Sequence, residues 1–433
     1  MEYVMNSKKS KLVGIRLAGL LVLVVLAFPA LATTNPAGAL QLISRVDHLD
    51  TLAREPMVVQ HPGGALFVSG YGSQIDGTDW TAPPPLWRSD DGGETWLRVA
   101  VGLSADGAQG NSDVDLTVGP DGTLYLLAMG FNRATREGTH VAVGVSHDIG
   151  QTWQWHWLSQ TRFDDRPWIS ISAGGVAHVI WNDGAGVCYS VSRDAGRRWT
   201  EQTRIHSVGG SSHLAVGPDG TVAVRISPIS ASANRFDEAT DLIAVSRDAG
   251  ATWLLHDTPG DIVWDPTLSD PDKIPRWVEP VAWGADGTLY HLWSEGEAIV
   301  LAASRDYGAH WTRQIVAEEK GQAFFPYMVA NANGDLAATW FVQTGQTLTA
   351  RLVLIETPLV EDAPLQIHRA APFSILAWDE SGSTPVPTSA GEYIPVVFLN
   401  DGELAVVSPI QDRFGDRWGF TWWRFAVQKD AQK

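Results

Sequence analysis

The chain has a single cysteine, Cys188, so no intrachain disulfide can form. It sits in Val187-Cys188-Tyr189-Ser190-Val191, an apolar, β-rich stretch, where it reads as a small buried hydrophobe rather than a nucleophile. Positive charge is scarce: 31 Lys+Arg stand against 49 Asp+Glu, a formal net charge of -18. That balance argues against nucleic acid or an anionic membrane bound across a broad face. No HExxH, no P-loop and no Cys/His zinc spacing occurs. The Asp-rich stretches form no contiguous calcium loop, so neither metal nor cofactor is expected. The apolar run from Leu17 to Phe28 has 12 residues, short for a membrane span. Behind Lys8, Lys9, Lys11 and Arg16, and ahead of Ala30-Leu31-Ala32, it reads as an export signal cleaved after Ala32. An uncleaved N-terminal anchor is the rival reading. No Cys follows the run, so a lipoprotein anchor is unsupported.

What the chain has in abundance is turns and tryptophan: 42 Gly, 24 Pro and 20 Trp. One pattern, S-x-D-x-G-x-x-W, recurs five times, at Ser89–Trp96, Ser146–Trp153, Ser192–Trp199, Ser246–Trp253 and Ser304–Trp311. The tryptophans are 57, 46, 54 and 58 residues apart. A unit repeated at that period points to a propeller or array. Asp and Ser side chains can bond the N–H groups of a tight turn, Gly takes a positive φ, and Trp offers an apolar plate.

A second pattern recurs seven times: an apolar strand, a Gly turn, then another apolar strand. The turns are Pro62-Gly63-Gly64, Pro120-Asp121-Gly122, Ala173-Gly174-Gly175, Pro218-Asp219-Gly220, Ala285-Asp286-Gly287, Ala332-Asn333-Gly334 and Asn400-Asp401-Gly402. Asp-Gly and Asn-Gly between apolar runs are strong hairpin signals. The expected fold class is all-β: a β-propeller of four-stranded blades, seven blades favoured and six the alternative. Leu40 to Val46 is expected to supply the outer strand of the last blade and close the ring. The expected division is a signal over 1–32, a linker over 33–39, one propeller over 40–425 and a tail over 426–433.

The S-x-D-x-G-x-x-W pattern resembles the Asp-box, or BNR repeat, of the sialidase superfamily and many other propellers. The resemblance implies a β-propeller with these turns on the rim, away from the active site. It extends to the broad group of exported bacterial BNR proteins, with Asp-Arg-Pro-Trp and Gly-Glu-Tyr strand starts. Sialidases have six blades, so a seventh would depart from that family.

In a propeller the inner strands of all blades begin around one mouth of the channel. Their starts here read Arg54-Glu55-Pro56, Asp113-Val114-Asp115, Asp165-Arg166-Pro167-Trp168, Ser211-Ser212-His213, Arg276-Trp277-Val278-Glu279-Pro280, Phe325-Pro326-Tyr327 and Glu392-Tyr393. Polar and titratable groups at most of these starts make the mouth the expected functional face. Arg54, Arg166 and Arg276, with Asp113, Asp115, His213 and Tyr327, are the expected substrate-binding groups, Arg serving bidentate capture of an acidic ligand. Arg–carboxylate pairs also stitch adjacent blades, and that reading stands beside the functional one. The sialidase resemblance implies an Arg near the start, matched by Arg54 in Ala53-Arg54-Glu55-Pro56, without the family's aromatic and Ile. It implies an acid/base Asp in the loop after the second strand, where Asp76 and Asp79 fall. Asp79 is preferred because Trp80 would give it an apolar wall. It implies a Tyr nucleophile, Tyr327 or Tyr393, with a carboxylate partner, Glu279 or Glu392. Arg225, Arg276 and Arg351 are candidates for the remaining arginines. Two functions stay open: a secreted or periplasmic sialidase-like glycosidase, and a non-catalytic propeller binding glycan, peptide or partner protein at the same mouth.

Overall fold

The computed structural model describes residues 39–72, 79–227, 241–260, 278–345, 347–356, 365–375, 391–411 and 418–428, and the backbone of 229–230 and 235–236. Seven antiparallel sheets, each with four strands in its meander, form a propeller ring, which settles the blade count at seven and not six. A single-turn 3-10 helix at Ser104–Asp106 is the only helix among the described residues.

The first blade shows the plan. Arg54–Gln60 is the inner strand, followed outward by Leu66–Tyr71, Leu86–Ser89 and Leu97–Arg98. The inner strands of the other blades are Val114–Val118, Asp164–Ile171, Gly210–Val216, Val281–Trp283, Gln322–Ala330 and Val396–Phe398. The sixth blade carries no S-x-D box, and its third strand, Thr347–Glu356, takes an extra partner in Phe373–Ser374. In the seventh, the outer strand is Leu40–Leu49, paired antiparallel with Trp418–Val427 from Leu40↔Val427 to Leu49↔Gly419.

The five S-x-D turns join third to fourth strands and are built alike. In the first, Ser89 Oγ accepts the Gly93 N–H (2.9 Å) and donates to Asp91 Oδ1 (2.8 Å). Asp91 Oδ1 then accepts the Thr95 N–H (2.9 Å), and Trp96 Nε1–H donates to the Gly93 carbonyl (3.0 Å). The residue before the glycine is left-handed in every copy, at Gly92, Ile149, Ala195, Ala249 and Tyr307. Gly93 is obligatory, because its φ is +97° and a Cβ there would lie 2.1 Å from Trp422 Nε1.

Blades adhere through apolar faces. Trp96 packs on Phe420 and Trp422 of the last blade at 5.2 and 5.4 Å, and Trp253 packs on Tyr189 of the preceding blade at 5.3 Å. Trp96 is 5% exposed. An apolar plate at every box turn leads one to expect five largely buried tryptophans, but Trp153, Trp199, Trp253 and Trp311 are only half-buried. The first box tryptophan meets two aromatic rings of the neighbouring blade, Phe420 and Trp422, both edge to face.

Candidate functional site

The mouth is made by an irregularity shared among inner strands. In the first blade Arg54 pairs with Tyr71 but Met57 with Ser69, so one extra residue bulges. The same slip occurs between Asp165 and Trp168, between Ser211 and His213, and between Phe324 and Tyr327. At three bulges a non-glycine residue before proline adopts positive φ: Glu55 (44°), Arg166 (48°) and Phe325 (50°). The left-handed region is disfavoured for such residues, and proline restricts its predecessor further. Strain of this kind, of order 1–3 kcal/mol per residue, persists only where surrounding structure enforces it. A bulge breaks the alternation of sides, so neighbours such as Arg54 and Glu55, or Asp165 and Arg166, join one cluster.

That cluster holds four carboxyls and two guanidiniums. Arg166 donates two bonds to Glu392, Nη1 to Oε2 at 2.7 Å and Nη2 to Oε1 at 3.0 Å, and lies 3.8 Å from Asp165. Arg54 lies 3.5 Å from Glu55 and sits over the Tyr71 ring at 5.5 Å. Gly391 lets the last blade approach, since a Cβ there would stand 2.5 Å from Glu55 Cγ. Desolvation, opposed by Arg54, pushes Glu55 up to about 8. Desolvation and then Asp113 push Asp165 up to about 7, and Asp113 is raised mainly by burial. Two positive charges can balance only two of four carboxylates, so the others hold protons near neutrality. Asp165 keeps about a quarter of its side chain exposed (24%), against 14% for Glu392.

Beneath the cluster four rings close on one another across the channel. Trp168–His213 is 5.1 Å, His213–Tyr327 5.8 Å, Tyr327–Tyr393 5.8 Å and Tyr393–Trp168 5.5 Å between centroids. Tyr393 is 3% exposed, its hydroxyl donates to the Glu55 backbone carbonyl (3.3 Å), and burial raises its pKa well above the ordinary phenol value. His213 accepts the Val281 N–H at Nδ1 (3.4 Å), which places its proton on Nε2, and burial lowers its pKa to about 4. Asp115 lies lower, its oxygens accepting the N–H of Leu116 (2.7 Å) and Ile169 (2.8 Å), and burial pushes it up to about 7.

The structure therefore gathers Arg54, Asp113, Arg166 and Glu392, with Tyr393, His213, Tyr327 and Asp115 beneath. It sets others apart. Glu279 is 1% exposed and pairs with the fully buried Arg225 (2.9 Å), which also meets Asp241 (2.5 Å); Ser212 Oγ accepts the Glu279 N–H (2.9 Å). This is an inter-blade stitch. Asp79 is exposed and its carboxylate accepts the Thr81 N–H (3.1 Å), a turn role, while Trp80 packs on His140 at 6.2 Å. Arg351 pairs with Glu319 (3.0 Å) on the sixth blade. Arg276 and Asp76 lie outside the described residues. Sequence reasoning did not single out Tyr71 or Trp168. Proline follows Glu55, Arg166 and Phe325 at three of the four bulges, a signal present in the sequence, while the bulge at Ser211–His213 carries none.

No family model and no curated protein matches the chain. Among solved structures it is similar to a protein of unknown function from Dyadobacter fermentans, at 14% identity and TM-score 0.53, covering 90% of this chain and 100% of that one. It is similar to the GH74 xyloglucanase from Xanthomonas campestris, at 14% identity and TM-score 0.50, where 88% of this chain spans 55% of that one. A NanB sialidase from Streptococcus pneumoniae matches at 11% identity and TM-score 0.43, covering 88% of this chain and 69% of that one. The class defined is a seven-bladed propeller whose structural neighbours include glycan-active enzymes; at these identities the likeness is one of fold.

Proposed function

We propose that the chain is an exported glycoside hydrolase of the Asp-box propeller type, working through carboxyls at the channel mouth. The observation that carries this is the crowding of Glu55, Asp113, Asp165 and Glu392 around two arginines, with Asp165 pushed up to about 7 and partly exposed. A carboxyl still protonated near neutrality can give its proton to a leaving glycosidic oxygen, while an ionised neighbour acts as base or nucleophile. Asp165 takes the acid role and Asp113 the second. Arg166 forks onto Glu392 and so fixes its position beside the pair. The Tyr-nucleophile variant has less support, because Tyr393 is sealed beneath the cluster and burial disfavours its phenolate. The apolar run with its basic leader supports export.

A second reading rests on the Arg166–Glu392 fork: an arginine already satisfied by a blade carboxylate suits a non-catalytic glycan-binding mouth. Release from neutral, uronyl and sialyl glycosides, measured beside a glycan-binding array, decides between them. Asp165→Asn is expected to lose about 10²–10⁴ in kcat and to keep binding. Wild-type turnover should fall as pH rises through about 7, where Asp165 loses its proton. Tyr393→Phe should stay within a few-fold. Binding without turnover in the wild type gives the non-catalytic propeller, and an inactive Tyr393→Phe beside an active Asp165→Asn restores the Tyr mechanism.

A further inference from the structure

The channel below the four rings is a compartment of its own. It holds about 350 Å³, lined by inner strands of all seven blades. The rings close it toward the mouth. On the hairpin side its wall residues Thr117, Ser170, Val216, Ala330 and Val397 are half-exposed, so it opens on the face opposite the carboxyl cluster. The volume lies in the range of small-molecule sites, which are mostly apolar with a few placed polar groups.

We propose that this channel is a second ligand site, entered from the hairpin face, for a small organic ammonium with an aliphatic body. Its wall carries one carboxylate, Asp115, and neither lysine nor arginine. Each Asp115 oxygen already accepts one backbone N–H, and a carboxylate has about four acceptor positions. Capacity for a cationic donor therefore remains at the closed end. The Trp168 and Tyr327 rings flank that end, and π faces attract ammonium groups. Asp115 Oδ2 accepts the N–H of Ile169, the residue after Trp168, which places the carboxyl beside the rings. Toward the opening Val216, Val329 and Val397 stand beside Thr117 and Ser170, and the three valines would receive a short hydrocarbon tail.

Other ligands fit less well. An anion would meet the Asp115 carboxylate with no guanidinium to offset it. A calcium ion needs six to eight oxygen ligands, and the wall offers a single carboxylate. A neutral hydrocarbon would offer no donor to the spare acceptor positions of Asp115.

Calorimetric titration of the full chain at about pH 8, above the Asp115 value of about 7, with n-butylammonium chloride tests this, with n-butanol as the neutral isostere and sodium chloride as the salt control. Saturable binding of butylammonium alone is expected, reduced about tenfold or more in Asp115→Asn, the scale of one lost charge-assisted contact. Because Asp115 also ties two blades, that variant is read only if its melt is cooperative. Val397→Trp fills the open end without touching Asp115 and should abolish binding independently. Heat of dilution alone with the wild type overturns the site. Butanol binding as tightly as butylammonium, or binding unchanged in Val397→Trp, overturns it equally.

Discussion

At the scale of single residues, titration follows from who is buried beside whom. Glu55 at about 8, and Asp115 and Asp165 at about 7, hold protons in the native state that unfolded carboxyls release near 4. Their contribution to stability is therefore lost as pH rises through 7 to 8. His178 and His213, both lowered to about 4 from 6.5, act oppositely between those values, because the native state resists protonation. Above about 6.5 the carboxyls act alone. The melting temperature should fall from about pH 6.5 to 8.5, and less steeply in Asp165→Asn. A flat profile, or equal slopes in both proteins, would count against the assignment. On the acid side Asp91, Asp194, Asp248 and Asp306, lowered to about 2 chiefly by side-chain hydrogen bonds, contribute stability that is lost between about pH 4 and 2. Residue types at the mouth were legible in the sequence; their partners were not. Arg166 meets a glutamate 226 positions away, and only ring geometry selects Glu392 for it while giving Glu279 to Arg225.

At the scale of the element, the Gly hairpins and the S-x-D turns were readable because each is local chemistry within a few residues. How deeply each box tryptophan is buried was not, since the neighbouring blade decides it. The difference should be measurable. Trp96→Ala removes a plate packed against Phe420 and Trp422 and should cost about 3–5 kcal/mol. Trp199→Ala, at a half-buried position, should cost clearly less in the same urea titration. Equal losses would mean that burial does not set the contribution. The inner-strand bulges fall between these cases. Proline marks three of the four in the sequence, but the positive φ at Glu55, Arg166 and Phe325 is imposed by the sheet around it.

At the scale of the whole molecule, seven repeats gave the blade count, and the leftover strand at Leu40 gave the closure. That strand runs to Leu49, somewhat beyond the expected Val46, because its antiparallel partner continues to Gly419. Removing residues up to 49 should expose the edge of Trp418–Val427. The truncated protein should melt lower and associate, read by calorimetry and light scattering. A monomer with unchanged melting would show that the strand is dispensable.

The same closure orders events in time. Leu40 and Val427 pair across nearly the full length of the chain, so the first strand made waits for the last. Contacts so distant in sequence form late and slowly. During synthesis the early blades can condense while the seam stays open until the final strand emerges. The ring can therefore lock only once its C-terminal strand has been released.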